Sequence, residues 1–562
     1  MKNILAAAAA AFLLISGTSC SGFLDEDLKK ELAPDNTYTS SYGFKVGITG
    51  LYAWARSEFN TWGDAPTTLG QACPYESFQV ATDIVYTGHK DGNLVPFENL
   101  SYTSSSTFVQ NYWKWSYGLI ANVNEILAYA DKNENWDTPN DKIGFQAEAR
   151  FFRAYAYRYL VYLYGDVPYV DKIESEFRID FTRTPKAEVL SHMIDDLKFA
   201  AENLPENPDN VEETGKLTKW AALHLLSEVY LMAGKYADAE DAALQVINSG
   251  YFQLMTERFG SAVNQPGDVF SDMFKEYNQN RPSGNKESIW VMQLEYNTPG
   301  GGDAYEDWTK RAWVPKYWDE AGFTLCDSLG GRGLAQIVPF QWWIESKDFF
   351  DPTDIRNSEA NIKRHWYYNN PETPELLGKP AEMTELTRSK CTLYPAVTKF
   401  FYGKTDDDPS YGGNNKDRMK FRLAETYLLL AEARIQQNNA AGAAEAINVV
   451  RKRANASEIT ASQATIDFLL DERIRELVGE ELRRLTLVRT GKLVERTRKY
   501  NPYSKEIDEH NTLWPIPQTI IDSNTGADFP QNPGYNNKDK LPWVFTPGSL
   551  SLFFILLPNN HI

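Results

Sequence analysis

The sequence contains little cysteine: four residues in a chain of 562, namely Cys20, Cys73, Cys326 and Cys391. A disulfide framework is typical of short chains with paired cysteines, and structural zinc sites use closely spaced pairs such as CxxC, which none of these residues forms. The sequence therefore predicts no metal site. It also indicates that a large packed core must supply the stability.

Histidine is scarce as well, with six residues in the whole chain. The sequence has no HExxH motif, no GxSxG nucleophile motif and no glycine loop that could bind phosphate. Carboxylates are abundant, but abundance does not establish the separation of about 5 to 10 Å that a glycosidase pair needs. We therefore predict a protein without catalysis or cofactor, and keep a surface glycoside hydrolase as an alternative.

A long hydrophobic run is also missing. The apolar stretch at residues 4–15 is shorter than the roughly 20 residues that a membrane-spanning helix needs. It follows Lys2 and precedes small residues, which predicts a secretory signal peptide at residues 1–19. Cys20 follows directly and resembles the cysteine of a bacterial lipobox, so we expect a lipid there and a membrane anchor. An ordinary cysteine near a cut site is the alternative.

Positive charge is in deficit, with 57 Lys and Arg against 76 Asp and Glu and a net charge of −19. Nucleic acids and anionic lipid heads bind through Lys and Arg, so the sequence argues against a nucleic-acid partner. Acidic residues at positions 25–27 resemble a signal that sorts lipoproteins to the outer face of the outer membrane. A solvated tether would have the same composition.

Several segments have the apolar spacing of helices. Residues 143–164 predict one helix that stops at Gly165, and residues 217–247 predict two helices joined at Gly234. A similar pair is predicted at residues 423–454, with its turn at Asn438 and Asn439. Small alanines let such helices approach closely, as in tetratricopeptide repeats. The fold class predicted is mainly α, with a helical repeat scaffold.

The chain has no Gly/Ser or Pro-rich linker, which favours one large unit at residues 20–535. Helical repeats are predicted at about 141–250 and 418–490. A loop-rich insertion at about 250–415 separates them and contains six of the fifteen tryptophans within 59 residues. Rigid scaffolds present binding residues on such loops. A C-terminal extension, residues 536–562, has an apolar end too short to cross a membrane and no predicted role.

Residues 303–320 combine aromatic and polar side chains in the mixture that carbohydrate recognition needs. Aromatic faces cover the apolar side of a sugar ring, and carboxylates or guanidinium groups bind its hydroxyls. Core packing is the alternative role for each aromatic residue alone. The candidate ligand residues in this stretch are Trp308, Arg311, Trp313, Tyr317 and Trp318.

Five motifs, in this order, resemble the SusD/RagB family of Bacteroidetes lipoproteins. They are EARFFRAYAYRYLVYLYGDVPYV at 148–170, RLAETYLLLAEAR at 422–434, INVVRKRAN at 447–455, ERIRELVGEELRRLTLVRTGKL at 472–493, and LWPIPQTIIDSN followed by QNPGY, which ends at Tyr535. A DPxDxR motif at 351–356 agrees as well. The arginines within these motifs, at positions 150, 153, 483, 484 and 489, are predicted to form ion pairs between helices and to cap helices. A binding site is the alternative role for them.

The resemblance implies a tetratricopeptide-like solenoid that supports a binding surface built from loops. It also implies a lid on a SusC-like TonB-dependent transporter, which captures a glycan for import; some relatives bind peptides instead. In the family, the loop corresponding to residues 83–102 often contributes to the sugar site. Carried over by position, the candidates there are Tyr86, His89, Asn93 and Phe97, although this loop contains no tryptophan.

Overall fold

The computed structural model describes residues 34–59, 74–89, 93–174, 176–295, 307–402 and 413–535. Within these ranges it contains eighteen α-helices and eight short β-strands. The strands form four separate two-stranded antiparallel sheets, so helices provide the framework. The predicted signal peptide, the lipid attachment at Cys20 and the C-terminal extension lie outside the described residues.

The helices are α1 (Pro34–Thr37), α2 (Ser41–Arg56), α3 (Val95–Glu98), α4 (Thr107–Lys132), α5 (Asp141–Tyr164), α6 (Lys186–Asn203), α7 (Lys219–Met232), α8 (Tyr236–Ile247), α9 (Val269–Asp272), α10 (Thr309–Trp313), α11 (Gln341–Ile344), α12 (Glu385–Ser389), α13 (Leu423–Gln436), α14 (Ala440–Arg453), α15 (Ile466–Leu477), α16 (Arg483–Arg489), α17 (Leu493–Tyr500) and α18 (Gln518–Ser523). The strands are β1 (Val85–Thr87), β2 (Ser288–Met292), β3 (Ile337–Pro339), β4 (Ile362–Lys363), β5 (Trp366–Tyr367), β6 (Pro380–Ala381), β7 (Ala396–Val397) and β8 (Arg418–Arg422).

The long helices pack side by side in chain order. Each helix from α4 to α7 packs against the next one, and α13 then packs against both α8 and α14. The chain between α8 and α13 therefore leaves the helical scaffold and returns to it at the same place. This succession of helical hairpins confirms the predicted fold class, a mainly α tetratricopeptide-like scaffold with a large irregular insertion.

The predicted turns fall where the backbone leaves the helical conformation. Gly234 has φ +69 between α7 and α8, and Asn438 has φ +61 between α13 and α14. Gly165, with φ +74, follows the last residue of α5. Glycine and asparagine adopt this left-handed region at the least steric cost, which is why their positions in the sequence predict the turns.

The insertion is fastened to the helical scaffold by a sheet and by buried charges. Strand β2 of the insertion pairs with β8, which leads directly into α13. Arg356 of the DPxDxR motif donates to Glu472 Oε1 at 2.8 Å and Glu476 Oε2 at 3.0 Å, both on α15. All three side chains are fully buried. The motif therefore has a structural role: it joins the insertion to the scaffold.

Three of the five family arginines form the predicted ion pairs between helices, namely Arg150, Arg153 and Arg489. Arg483 pairs with a carboxylate outside the helices, and Arg484 donates to a backbone carbonyl. Arg153 pairs with Asp196 at 2.7 Å, and Arg489 pairs with Glu432 at 2.8 Å. Arg483 pairs at 2.6 Å with Asp83, which precedes it by 400 residues in the sequence. Arg150 also lies near Asp196, at 3.8 Å, and the guanidinium of Arg484 donates to the carbonyl of Asn511.

None of the helices in the described ranges combines the length and the hydropathy that a transmembrane span requires.

Candidate functional site

Strand pairing brings the two predicted binding stretches close to one another. Strand β1, in the loop at 83–102, pairs with β3, and the backbone N–H of His89 donates to the carbonyl of Ala335 at 2.8 Å. The residues before β3 also contact the stretch at 303–320, since the backbone N–H of Ala335 donates to the carbonyl of Val314 at 3.0 Å. Residues 334–339 therefore lie between both stretches and position them.

Three aromatic residues of the stretch at 303–320 belong to the protein core. Trp308, Trp313 and Tyr317 are 2, 1 and 0% exposed. The guanidinium of Arg311 lies 3.6 Å from the centre of the Trp308 ring, and the Trp313 ring stacks on Phe400 at 5.1 Å. This corrects the expectation that these three residues contact a ligand, because their ring faces are covered by protein.

Hydrogen bonds hold the polar atoms of the same stretch as well. The indole N–H of Trp313 donates to Glu76 Oε1 at 3.1 Å, and the hydroxyl of Tyr317 donates to the carbonyl of Cys326 at 3.0 Å. Trp318 is half-buried, its N–H donates to Gly333, and Lys316 Nζ lies 5.0 Å from the centre of its ring. Trp318 therefore offers part of one face, and residues 303–306 lie outside the described residues.

The loop at 83–102 is more accessible. Tyr86 and Asn93 are half-buried, and His89 is exposed. Phe97 is 3% exposed and stacks on Tyr102 at 4.9 Å, so it is a core residue rather than the candidate contact that its position suggested. As ligand contacts, Tyr86, His89 and Asn93 stay predictions, and so do Arg311 and Trp318.

The accessible aromatic surface lies around Tyr86. Its ring centre is 5.3 Å from that of Tyr503 and 5.4 Å from that of Phe340. Tyr503 is 55% exposed, Tyr86 is partly exposed and Phe340 lies beneath them at 6%. We call Tyr86, Phe340 and Tyr503 the aromatic platform. The planes of the Tyr86 and Tyr503 rings are inclined to one another by 36°, so the platform is not flat.

Polar groups border the platform on the side of β1. The carboxylate of Glu98 accepts the backbone N–H of Thr87 at 2.6 Å, and the hydroxyl of Ser504 donates to the Glu98 carbonyl, which holds Tyr503 beside this residue. Burial raises the pKa of the Glu98 carboxyl, and the N–H of Thr87 opposes that rise.

Arg388 lies on the other border of the platform. Its guanidinium pairs with Glu345 and donates to the carbonyl of Pro339, the last residue of β3, at 3.2 Å. Burial raises the pKa of Tyr86 to about 12, against the opposing effect of the Arg388 charge. The Tyr86 hydroxyl therefore keeps its proton at neutral pH and can donate a hydrogen bond.

A second aromatic pair, Trp342 and Tyr500, is close in sequence to the platform residues Phe340 and Tyr503. The rings of Trp342 and Tyr500 stack at 3.9 Å with an angle of 17°, and the indole N–H of Trp342 donates to the Asp83 carbonyl at 2.7 Å. Lys499 Nζ lies 4.7 Å from the centre of the Tyr500 ring. Neighbours thus cover both rings in part, and Tyr503 remains the most open aromatic face of this region.

The sequence did not indicate Tyr503 or Phe340 as site residues. Tyr503 follows Pro502, just after α17 ends at Tyr500, so it stands outside any helical period. An aromatic residue in a proline turn is a weak signal of exposure. Nothing in the spacing of the chain relates Tyr503 to Tyr86, because their contact is purely tertiary.

Comparison with known proteins agrees with this architecture. A model of the SusD family matches residues 286–535, and a model described as starch-binding associating with outer membrane matches residues 58–231. SusD-like protein P25 of Formosa agariphila is 25% identical over 86% of this chain and 89% of its own length. Starch-binding protein SusD of Bacteroides thetaiotaomicron is 22% identical over 95% of this chain and 99% of its own.

Solved structures share the fold at low identity. Surface glycan-binding protein A from Bacteroides thetaiotaomicron superimposes with a TM-score of 0.69 at 20% identity, covering 88% of this chain and 100% of that one. The same protein in complex with laminarihexaose gives a TM-score of 0.68 with the same coverage. The starch-binding model matches the first part of the helical scaffold. The SusD model matches most of the insertion and the helices that follow it. The chain belongs to the SusD family.

Proposed function

We propose that this protein binds a glycan on its aromatic platform, at the cell surface, and delivers it to a SusC-like TonB-dependent transporter. The observation that supports the proposal most is the exposed Tyr503 ring beside Tyr86, bordered by Glu98 and Arg388. Aromatic faces cover the apolar side of a sugar ring, and carboxylate and guanidinium groups bind hydroxyls at its edge.

The family supports the choice of ligand class. A structural relative carries the name surface glycan-binding protein A and has a complex with laminarihexaose, and another is named a laminarin-binding SusD-like protein. We extend glycan binding to this chain because its platform exposes aromatic ring faces. Anchoring through a lipid on Cys20, in the outer membrane and facing the exterior, belongs to the same proposal.

Affinity gel electrophoresis against a panel of polysaccharides that includes laminarin and starch tests glycan binding. We expect at least one polysaccharide to retard the protein, and the Y86A/Y503A double variant to lose that retardation. The matched control is Tyr367→Ala, because Tyr367 is also an exposed tyrosine, at 51%, but lies on the β5–β6 sheet.

Absence of retardation across the panel, together with retention on a peptide library, would replace the glycan proposal by the peptide alternative. Release of reducing sugar from a retained polysaccharide would instead indicate a hydrolase. Delivery is tested separately: the protein, cross-linked on intact cells, should co-purify with a TonB-dependent transporter. Isolation without such a protein would contradict the transporter proposal but not the glycan proposal.

A further inference from the structure

A small cavity of about 40 Å³ lies between the insertion and the helical scaffold, away from the aromatic platform. Aromatic rings form part of its wall, and four cationic side chains line it together with two carboxylates. The cations are Lys399, Lys416, Arg418 and Lys420, and the carboxylates are Asp417 and Glu480. A cavity of this size holds about two or three water-sized particles and is too small for a sugar ring.

Three of the four cations have a carboxylate partner. Lys399 pairs with Glu480, Arg418 pairs with Asp307, and Lys420 pairs with Glu58. Such pairing compensates for the removal of both charges from water. These three side chains therefore need no further counter-charge.

Lys416 differs from the other three. Its side chain is 7% exposed, and Nζ donates to the carbonyls of Phe274 and Lys399, each at 2.7 Å. Both of those residues line the cavity, which places the ammonium group at the cavity wall. Within the described ranges, no carboxylate lies in ion-pair distance of Lys416 Nζ. An ammonium has three donors, so one N–H of Lys416 has no acceptor among the residues that the structure describes.

The surroundings reinforce this lack of counter-charge. The carboxylate of Asp417 is turned to the amide of Asn280 and the backbone N–H of Leu294, and burial raises its pKa. Burial, with the charges of Lys275 and Arg418, lowers the pKa of Lys416 to about 7, while the charges of Asp307 and Glu276 act in the opposite direction. A buried ammonium without a counter-ion must lose its proton or acquire an anion.

We propose that this cavity binds a monatomic anion of the chloride class, held by the remaining N–H of Lys416. Cavity size and the one ammonium that lacks a carboxylate partner among the described lining residues select a small, spherical ion with one negative charge. The anion would stabilise the joint where the residues before β8 meet the 3₁₀ helix Thr398–Phe400. This proposal is independent of glycan binding, so either one can fail alone.

Bromide is the probe for the crystallographic test, because it replaces chloride and scatters anomalously. Crystals of the full-length protein soaked in sodium bromide should show an anomalous peak at Lys416 Nζ inside the cavity. Absence of a peak there would overturn the proposal and leave a neutral amine with water as the account of Lys416. This measurement uses the unchanged chain, so it does not depend on a variant that folds.

Thermal unfolding provides the solution test. An ion that binds the folded state alone raises the melting temperature with its concentration. Sodium chloride should therefore raise the melting temperature more than sodium gluconate at equal ionic strength, and Lys416→Met should lose this difference. The matched control is Lys379→Met, an exposed lysine that should keep it. A chloride effect that persists in K416M, or a bromide peak without any chloride effect, would reduce the site to an adventitious ion and refute the proposal.

Discussion

The ring of Tyr503 lies 5.3 Å from the ring of Tyr86, although one residue follows α17 and the other lies in β1 near the start of the chain. Their 36° inclination gives a ligand two differently oriented faces. Tyr503 is the more exposed of the two, so it dominates the contact area available to a sugar.

We therefore expect Tyr503→Ala to weaken glycan binding by about tenfold or more, as truncation of a central aromatic contact does. Tyr503→Phe should keep most of the affinity, because the ring face remains. Isothermal titration with the polysaccharide identified by gel electrophoresis measures both variants. Equal losses for Ala and Phe would show that the hydroxyl, not the face, carries the contact.

Trp313→Ala should destabilise the fold instead of removing a ligand contact. The ring is 1% exposed and stacked on Phe400, and truncation of a large buried aromatic residue costs about 3 to 5 kcal/mol. Urea unfolding followed by circular dichroism measures this loss, with the exposed Tyr367→Ala as the control. A stable W313A variant with lost glycan affinity would return residues 303–320 to the binding site.

Arg356→Met should reduce the free energy of unfolding by about 3 to 5 kcal/mol, because it removes the ion-pair partner of the buried Asp354 and one of the arginines that compensate Glu472 and Glu476. The control is Arg178→Met, whose ion pairs with Glu174 and Asp180 are at the surface and contribute about 0 to 1 kcal/mol. Chemical denaturation of both variants makes the comparison. Similar losses for the two would contradict a structural role for the DPxDxR motif.

Acid should destabilise the protein through the same buried network. Burial acts to raise the pKa values of the Asp83 and Glu472 carboxyls, but neighbouring arginines lower both pKa values to about 2. The largest lowering effect comes from Arg483 for Asp83 and from Arg356 for Glu472. Both values lie below the roughly 4 of an unfolded chain. The stabilisation is therefore complete above about pH 4 and is lost as the pH falls from there toward 2.

Denaturation midpoints measured across this pH range should fall steeply below about pH 4. Arg483→Met removes the largest opposing influence on Asp83 and should flatten that dependence as well as lower stability at neutral pH. A midpoint that does not change between neutral pH and about pH 3 would contradict the ionised network.

Two glycines with nearly the same backbone angle should respond differently to alanine. Gly234 has φ +69 and open space around a new Cβ, so Gly234→Ala should cost about 1 kcal/mol from the left-handed conformation alone. Gly479 has φ +74, but a Cβ there would overlap the ring of Phe400 and lie 3.0 Å from Trp313. Gly479→Ala should cost more; equal melting temperatures for the two variants would show that the Phe400 ring moves freely.

The sequence determined the helical scaffold because its signals are local. Apolar spacing, Gly234 and the asparagines at 438 and 439 predict helix pairs and their turns without knowledge of the rest of the chain. The ordered family motifs also predict the architecture and the placement of the insertion. The arginines within those motifs could be assigned a structural role, since they stand on helices among acids.

Only the tertiary structure decided which residues form the surface and which partners the arginines take. Trp308, Trp313 and Tyr317 have the composition of a sugar site, yet Phe400, Glu76 and the loop at Cys326 cover them. Tyr503 has no such pattern, yet it lies beside Tyr86 because β1 and the end of α17 meet in space. Burial and contacts across hundreds of residues depend on how elements pack, and hydrophobic periodicity along the chain does not contain that information.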